Sequence, residues 1–396
     1  MKNIPIFKLE FDKKFQNRYN NLSKKIFNSK SLSEGMFVSN FEKKFSKFVH
    51  AKYSIAVSNG TAALEIAFRT INISNKEVIV PTNTFFATII AIIKAGGKPV
   101  FCDNKPNSPE MDIKEIKNKI TKKTKAICIV HVGGIISNDC SNIVKICKKK
   151  KIYLIEDAAH AHGSFLNKDL YAGTIGDIGC FSFYPTKVMT TGEGGMITTN
   201  SKEIYKKLLK LRSHGMNKDK NDFLNKDIAF DKDGKPNVWY YEITELGFNY
   251  RITDMQSALG ESQLKKVDKF IKIRRKIAKT YNDGFAKNKL IKTPAETSNV
   301  KHAYHLYTIL IDFKNLRKSR NQIMNELKKN NIGTQVLYIP IYQQPYYSKK
   351  YGYKKVDFPA AEKYYEKCLS IPIFPGLKKN EVNYVIKKIN SIISIK

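Results

Sequence analysis

Residues 53–71, YSIAVSNGTAALEIAFRTI, decide the fold. An apolar run closes at Val57, a glycine turn follows, and then apolar residues recur at helical spacing. That is strand, tight turn, helix. The same unit repeats downstream. KEVIVP (76–81), KPVFCD (98–103), KAICIVHV (125–132) and IYLIEDAA (152–159) are short, continuously apolar strands. TFFATIIAIIKAGG (84–97), DIKEIKNKI (112–120) and CSNIVKICKKKK (140–151) are the helices between them. Strands without polar alternation, separated by helices, predict a mostly parallel mixed sheet covered on both faces. A helix over 39–49 precedes this run and another, SKEIYKKLLKLRSHG (201–215), follows it.

The rhythm breaks at residues 215–240, which are polar and rich in Asp and Lys, and a long loop is expected there. Beyond it lie long helices over 256–286, a strand HLYTILID (305–312), a helix SRNQIMNELKKN (319–330) and a last helix after SIPIFPGLKKNEV (370–382). The expected organisation is an N-terminal arm (1–30), a large α/β domain (31–254) and a smaller C-terminal α/β domain (255–396).

The apolar content of 42% supports a sizeable core. No uncharged apolar run reaches 18 residues and the N-terminus lacks the apolar stretch of a signal peptide, so a cytoplasmic protein without a membrane span is expected. The six cysteines form no CxxC pair, which points to reduced thiols and away from a metal site. The formal charge of +35 comes almost wholly from Lys spread along the chain. Nucleic-acid readers cluster Arg with aromatics, so a solvated surface is the reading here, without a nucleic-acid or membrane partner.

Chemistry concentrates at a few positions. Asp157 ends the strand YLIED, at the sheet edge where open α/β folds bind ligands. The carboxylate suits either a helix cap or a ligand. Lys187 stands alone in the otherwise uncharged GCFSFYPTK and is followed by the glycine-rich turn TTGEGG. An Asp and a Lys at one sheet edge make either an ion pair or the two groups that pyridoxal phosphate needs: an amine for its aldehyde and a carboxylate for its ring nitrogen. SNGTAAL (58–64), with Gly60, Thr61 and Ala62, runs into a helix N-terminus, which favours an anion such as phosphate. Ser182 offers a hydroxyl, and Phe85 or Phe86 a flat apolar cover.

Taken together and in order, these segments resemble the DegT/DnrJ/EryC1/StrS family of pyridoxal-phosphate-dependent sugar aminotransferases, of fold type I. The resemblance rests on GMFVSNFEKKF, AVSNGTAALEIAF, PTNTFFAT, IEDAAHAHGS, GDIGCFSFYPTKVMTTGEGGMI, ELGFNYRITDMQSALG and CLSIPIFPGL. It implies that Lys187 bonds the cofactor covalently and then moves the proton, and that Asp157 pairs with the ring nitrogen. Phe85 takes the stacking position, Gly60, Thr61, Ala62 and Ser182 the phosphate, and His160 a place beside the cofactor. Asn249 would reach the cofactor phosphate of a second subunit, which implies a homodimer with shared sites. Glu193, Tyr184 and Tyr342 are implied on the substrate side.

Two stretches depart from the family pattern. QVLYIPIYQQPYY (335–347) has Leu337 and Tyr342 where the family often has His, and VHVGG (130–134) replaces a commoner LYGQ-type turn. The implied reaction moves an amino group, from L-glutamate, to a nucleotide-linked keto-sugar for surface-polysaccharide or glycoconjugate synthesis. Loss of two donors also admits a smaller phosphorylated ketone as acceptor. A dehydratase of the same family would carry His in place of Lys187.

Overall fold

A computed structural model describes residues 3–167, 169–295 and 299–394; the outermost residues of the expected arm and of the C-terminal domain lie outside it. Strands β1 (Tyr53–Val57), β2 (Glu77–Pro81), β3 (Lys98–Cys102), β4 (Thr124–Val130) and β5 (Tyr153–Asp157) join Ile178–Ser182 and Gly195–Thr199 in a seven-stranded sheet. Its order is β1, Gly195–Thr199, Ile178–Ser182, β5, β4, β2, β3. Gly195–Thr199 is antiparallel to both of its neighbours, and the remaining pairings are parallel. Six of the seven strands therefore run the same way and end at one edge, the expected mixed sheet.

The strands are continuously apolar because both faces are covered. One core cluster joins Phe41 and Phe45 to Ile79, Ile127, Phe181 and Phe183. The other joins Ile66 and Phe68 to Val80, Cys128 and Ile155. Helices α2 (Met36–Val49), α3 (Gly60–Thr70) and α4 (Phe86–Lys94) supply much of this cover. In α2 the buried Phe41, Phe45 and Val49 recur every fourth residue, the stripe that one face of a helix requires.

The N-terminal arm contains more order than expected. Helix α1 (Lys13–Ser29) starts where Asp12 accepts the Phe15 N–H at 2.7 Å. It buries Phe15 and Ile26. Each burial of that size is worth roughly 1.5–3 kcal/mol, enough to dock a helix whose sequence is mostly polar.

The expected boundary at 254/255 is crossed in both directions. Helix Asp254–Leu264 packs on α1 and α2, with Ala258 joining Ile26 and Phe37. Val300–Lys301 pairs with Phe165–Leu166. Ile341, Tyr342, Tyr347 and Phe358 belong to a core cluster of the large sheet. A second body remains: the three-stranded sheet Ile291–Lys292, Tyr307–Ile311 and Cys368–Ile371, under helices Val267–Phe285 and Lys379–Ile392. Ile4 at the N-terminal end joins this core and bridges Ile332. The polar stretch 215–240 holds only short pieces, Met216–Asn217, a 3₁₀ turn Lys220–Asp222 and Lys226–Ala229. Among the described residues no helix is long and apolar enough to cross a membrane.

Asp254 ties the two halves of the chain together. Its carboxylate is buried and accepts the N–H groups of Gly35 (2.9 Å), Phe37 (2.9 Å) and Val38 (3.3 Å) at the start of α2. Removing it strands buried donors, at a cost of about 2 kcal/mol. Asp254→Ala is therefore expected to lower the melting temperature by several degrees while the circular dichroism spectrum at 20 °C stays unchanged. An unchanged melting temperature would rule out this tether.

Candidate active site

The common sheet edge opens on a cavity of about 790 Å³. β1 hands the chain to α3 through Asn59, whose side chain accepts the Ala62 N–H at 2.8 Å. Ala62 is thus already capped, and among the described residues the N–H groups of Gly60 and Thr61 donate to nothing. Gly60 sits hard against the end of the strand Ile178–Ser182: a Cβ there would lie 2.7 Å from Ser182 Cβ. This closeness puts the Ser182 hydroxyl beside two free backbone donors at a helix N-terminus, a cradle for an oxyanion.

β5 carries two successive carboxylates with opposite fates, because neighbours on a strand face opposite sides. Glu156 is fully buried and accepts from His131 Nε2 (2.9 Å) and from the N–H groups of Gly173 (2.8 Å), Ile175 (2.7 Å) and Gly176 (2.7 Å). That carboxylate is structural. Asp157 lines the cavity and accepts from Thr88 Oγ1 (2.7 Å) and the Ala159 N–H (3.2 Å). Burial raises its pKa, against the pull of those bonds and of Lys187.

Lys187 lies in the cavity wall just past the strand that ends at Ser182. Among the described residues no carboxylate oxygen lies within 4.0 Å of its amine. Burial lowers its pKa to about 8, with the Asp157 charge acting in the opposite direction. Phe85 caps the start of α4 and turns its ring to the cavity, 44% exposed, with its centroid 5.8 Å from that of Tyr338. His160, Tyr184 and Glu193 also line the cavity.

Two expected residues lie elsewhere. Tyr342 was placed on the substrate side, but it is buried in the core, stacked on Phe358 (4.6 Å), and donates to Glu362 Oε1 at 2.5 Å. The 3₁₀ turn Ile341–Gln343, tied by the Ile341 N–H to the Thr82 carbonyl (3.0 Å), carries it away, so of the pair Leu337 and Tyr342 only Leu337 reaches the cavity. Asn249 is exposed and outside the wall of its own chain's cavity; its backbone bridges Ser213. Sequence reasoning missed Thr88, Tyr338 and His305, all drawn to the site by the fold. Thr88 and Tyr338 stood inside motifs already singled out, TFFAT and QVLYIP.

The residues converging here are those a phosphorylated aldehyde cofactor requires, and comparison with known proteins agrees. The DegT/DnrJ/EryC1/StrS aminotransferase family model matches residues 13–390. The chain belongs to this family. It is 38% identical over 364 residues to the spore coat polysaccharide biosynthesis protein SpsC of Bacillus subtilis, covering 91% of each chain. It is 35% identical over 365 residues to GDP-perosamine synthase of Escherichia coli O157:H7, covering 92% of each. Among solved structures it is similar to PseC of Helicobacter pylori, an aminotransferase of pseudoaminic acid biosynthesis, with TM-score 0.88, 28% identity and 99% coverage of both chains. The chain is thus a fold-type I, pyridoxal-phosphate-dependent aminotransferase.

The lowered pKa of Lys187 has a measurable sign. Its amine is neutral, hence nucleophilic, above about pH 8, where a free lysine needs about pH 10.4. Attachment of added pyridoxal phosphate to the cofactor-free protein is expected to accelerate through a midpoint near pH 8. Asp157→Asn removes the charge that raises this value, so the midpoint should fall. Absorbance stopped-flow across pH 6–11 checks both; a midpoint near 10 in the wild type refutes the burial argument.

Proposed function

We propose that this aminotransferase transfers the amino group of L-glutamate to a keto-sugar linked to a nucleoside diphosphate, in the synthesis of a surface polysaccharide or glycoconjugate. The observation that carries the proposal is the 35% identity to GDP-perosamine synthase over nine-tenths of both chains. The name of the Bacillus subtilis relative supports the polysaccharide context. The cavity, at about 790 Å³, lies in the upper range of small-molecule sites and has room for a cofactor together with a sugar.

The residues take these roles in the proposal. Gly60 and Thr61 N–H with Ser182 Oγ hold the phosphate, and Phe85 covers one face of the ring. Asp157, kept from water and braced by Thr88, holds the ring nitrogen protonated. Pyridoxal phosphate, when bound, supplies the electron sink that the amino-group transfer needs. Lys187 Nζ, neutral near pH 8 because it is buried, attaches the cofactor at rest and moves the proton during transfer. Tyr184 and Glu193 at the cavity mouth contact the sugar.

A homodimer completes the proposal, with Asn249 of each subunit reaching the phosphate site of the other. Its support is local: Asn249 is exposed, and Trp239, Tyr241, Leu246 and Phe248 nearby are large, apolar and at least 40% exposed. Such a patch is unusual on a protein that stands alone.

Three outcomes test the reading. Borohydride reduction of the holoenzyme should place the cofactor on the peptide containing Lys187, and Lys187→Ala should abolish turnover. Asp157→Asn should retain the cofactor but lose on the order of 10²–10⁴-fold in kcat, the usual worth of placed proton chemistry. With L-glutamate as donor, kcat/KM should be far higher for GDP- or UDP-linked keto-sugars than for small phosphorylated ketones; the reverse order would overturn the acceptor assignment.

A further inference from the structure

The orientation of one hydroxyl in the cavity follows from hydrogen-bond polarity alone. His160 Nδ1 lies 3.2 Å from the Gly133 nitrogen and accepts its N–H. A backbone N–H can only donate, so Nδ1 carries no proton. Burial holds His160 neutral, its pKa pushed well below the ordinary value, with the charge of Lys187 adding to the effect. A neutral imidazole has one N–H, and here it is on Nε2. Nε2 meets the Tyr338 hydroxyl at 3.2 Å. The imidazole therefore donates and the Tyr338 oxygen accepts. The opposite polarity would need a proton on Nδ1, facing the Gly133 N–H head-on.

The proton of Tyr338 is then left over. Burial, aided by the Asp157 charge, raises the phenol's pKa, so the hydroxyl stays protonated. Among the described residues the hydroxyl meets no second acceptor. The Tyr338 side chain forms part of the cavity wall beside Phe85 and His160. The hydroxyl is thus held from behind by His160 and has a free donor at the site itself. The glycine pair behind His160 is part of this device. Gly133 and Gly134 have φ of 69° and 86°, and a Cβ on Gly134 would stand 2.7 Å from the His160 carbonyl oxygen. The VHVGG turn, which departs from the family's commoner sequence, is what brings the Gly133 amide to Nδ1.

We infer that Tyr338 is a positioning donor of this active site, its O–H aimed by the Gly133–His160 relay at an oxygen of the bound cofactor or of the ketone substrate. The inference rests on the cofactor site proposed above. Leu337, its neighbour in the wall, can donate nothing, so the donors that this stretch places in the cavity wall are Tyr338 and the amide of Gln335.

The test is Tyr338→Phe in the holoenzyme, which keeps the ring and removes only the hydroxyl. Circular dichroism and borohydride labelling of Lys187 are run first on both proteins. Absence of the Lys187 label in the wild type defeats the cofactor-site reading and not this inference specifically. With the label present, two arms distinguish the source of the oxygen. If the acceptor is on the cofactor, the pH midpoint of the resting visible band shifts by about half a unit or more, and both half-reactions slow in single turnover. If it is on the ketone, the band is unmoved and only the ketone half-reaction slows, by about tenfold, as expected for one buried hydrogen bond. His160→Leu should reproduce the same pattern, and His160→Gln, whose amide can accept from Gly133 and donate to Tyr338, should restore much of the loss. A resting band with an unchanged pH midpoint, together with both half-reactions within twofold of wild type in Tyr338→Phe, overturns the inference and leaves Tyr338 as wall.

Discussion

A carboxylate buried at the end of a parallel strand is the constraint on which this molecule is organised. Asp157 can be kept from water only because β5 lies inside the sheet, between β4 and Ile178–Ser182, with helices over both faces. The position carries a penalty, visible as its raised pKa. Two bonds, from Thr88 and from the Ala159 N–H, offset part of it. A cationic ring nitrogen would offset the rest. Its neighbour Glu156 shows the contrast: four donors converge on that carboxylate, and no ligand is needed. Three of the four bonds, from Gly173, Ile175 and Gly176, also fasten their loop beneath the edge, which stiffens the strand that presents Asp157.

The same low-polarity pocket acts in reverse on the bases. Burial disfavours the charged form of Lys187, His160 and His305 alike. These groups crowd one another: the rings of His160 and His305 are 4.3 Å apart. If several were protonated together, their repulsion would add to the desolvation cost. The pocket therefore favours one amine, Lys187, as its titrating base near neutral pH, and keeps both imidazoles neutral, His160 as a fixed hydrogen-bonding group. That separation of roles explains how a site with three basic side chains can steer a single proton.

Much of this was legible in the sequence because it depends on local pattern. Continuous apolar strands alternating with helices specify a covered parallel sheet, and the strand ends then place Asp157, Ser182 and the Gly60 turn at one edge. Lys187 stood out as a lone charge in an uncharged run. What was not legible depends on long-range packing. The Thr88 bond to Asp157 spans 69 positions, and the Tyr338 bond to His160 spans 178. Helix α1 was overlooked because its polar majority masks the stripe of Phe15, Tyr19, Leu22 and Ile26. The tie between the two ends of the large body was hidden for a related reason: Asp254 and the helix it begins are bonded to the first helices of the chain, a contact that no local pattern announces.

The pair Leu337 and Tyr342 shows how far one turn of chain can alter a functional reading. In sequence they are two comparable losses of a histidine, five positions apart. In the fold Tyr342 sits within a 3₁₀ turn that turns it into the core, while Leu337, ahead of that turn, lines the cavity. Tyr342 satisfies Glu362 in the core and has no bearing on the acceptor. Leu337 lines the cavity, as do the apolar side chains of Ile6, Phe7, Leu306, Ile371 and Ile373. Such a wall cannot reward a hydroxyl, and it penalises one by removing its water. An acceptor lying against it gains most if that part of the molecule is a methyl or methylene group. Of the two residues, Leu337 alone bears on the cavity, and what it offers there is an apolar contact in place of a hydrogen-bonding one.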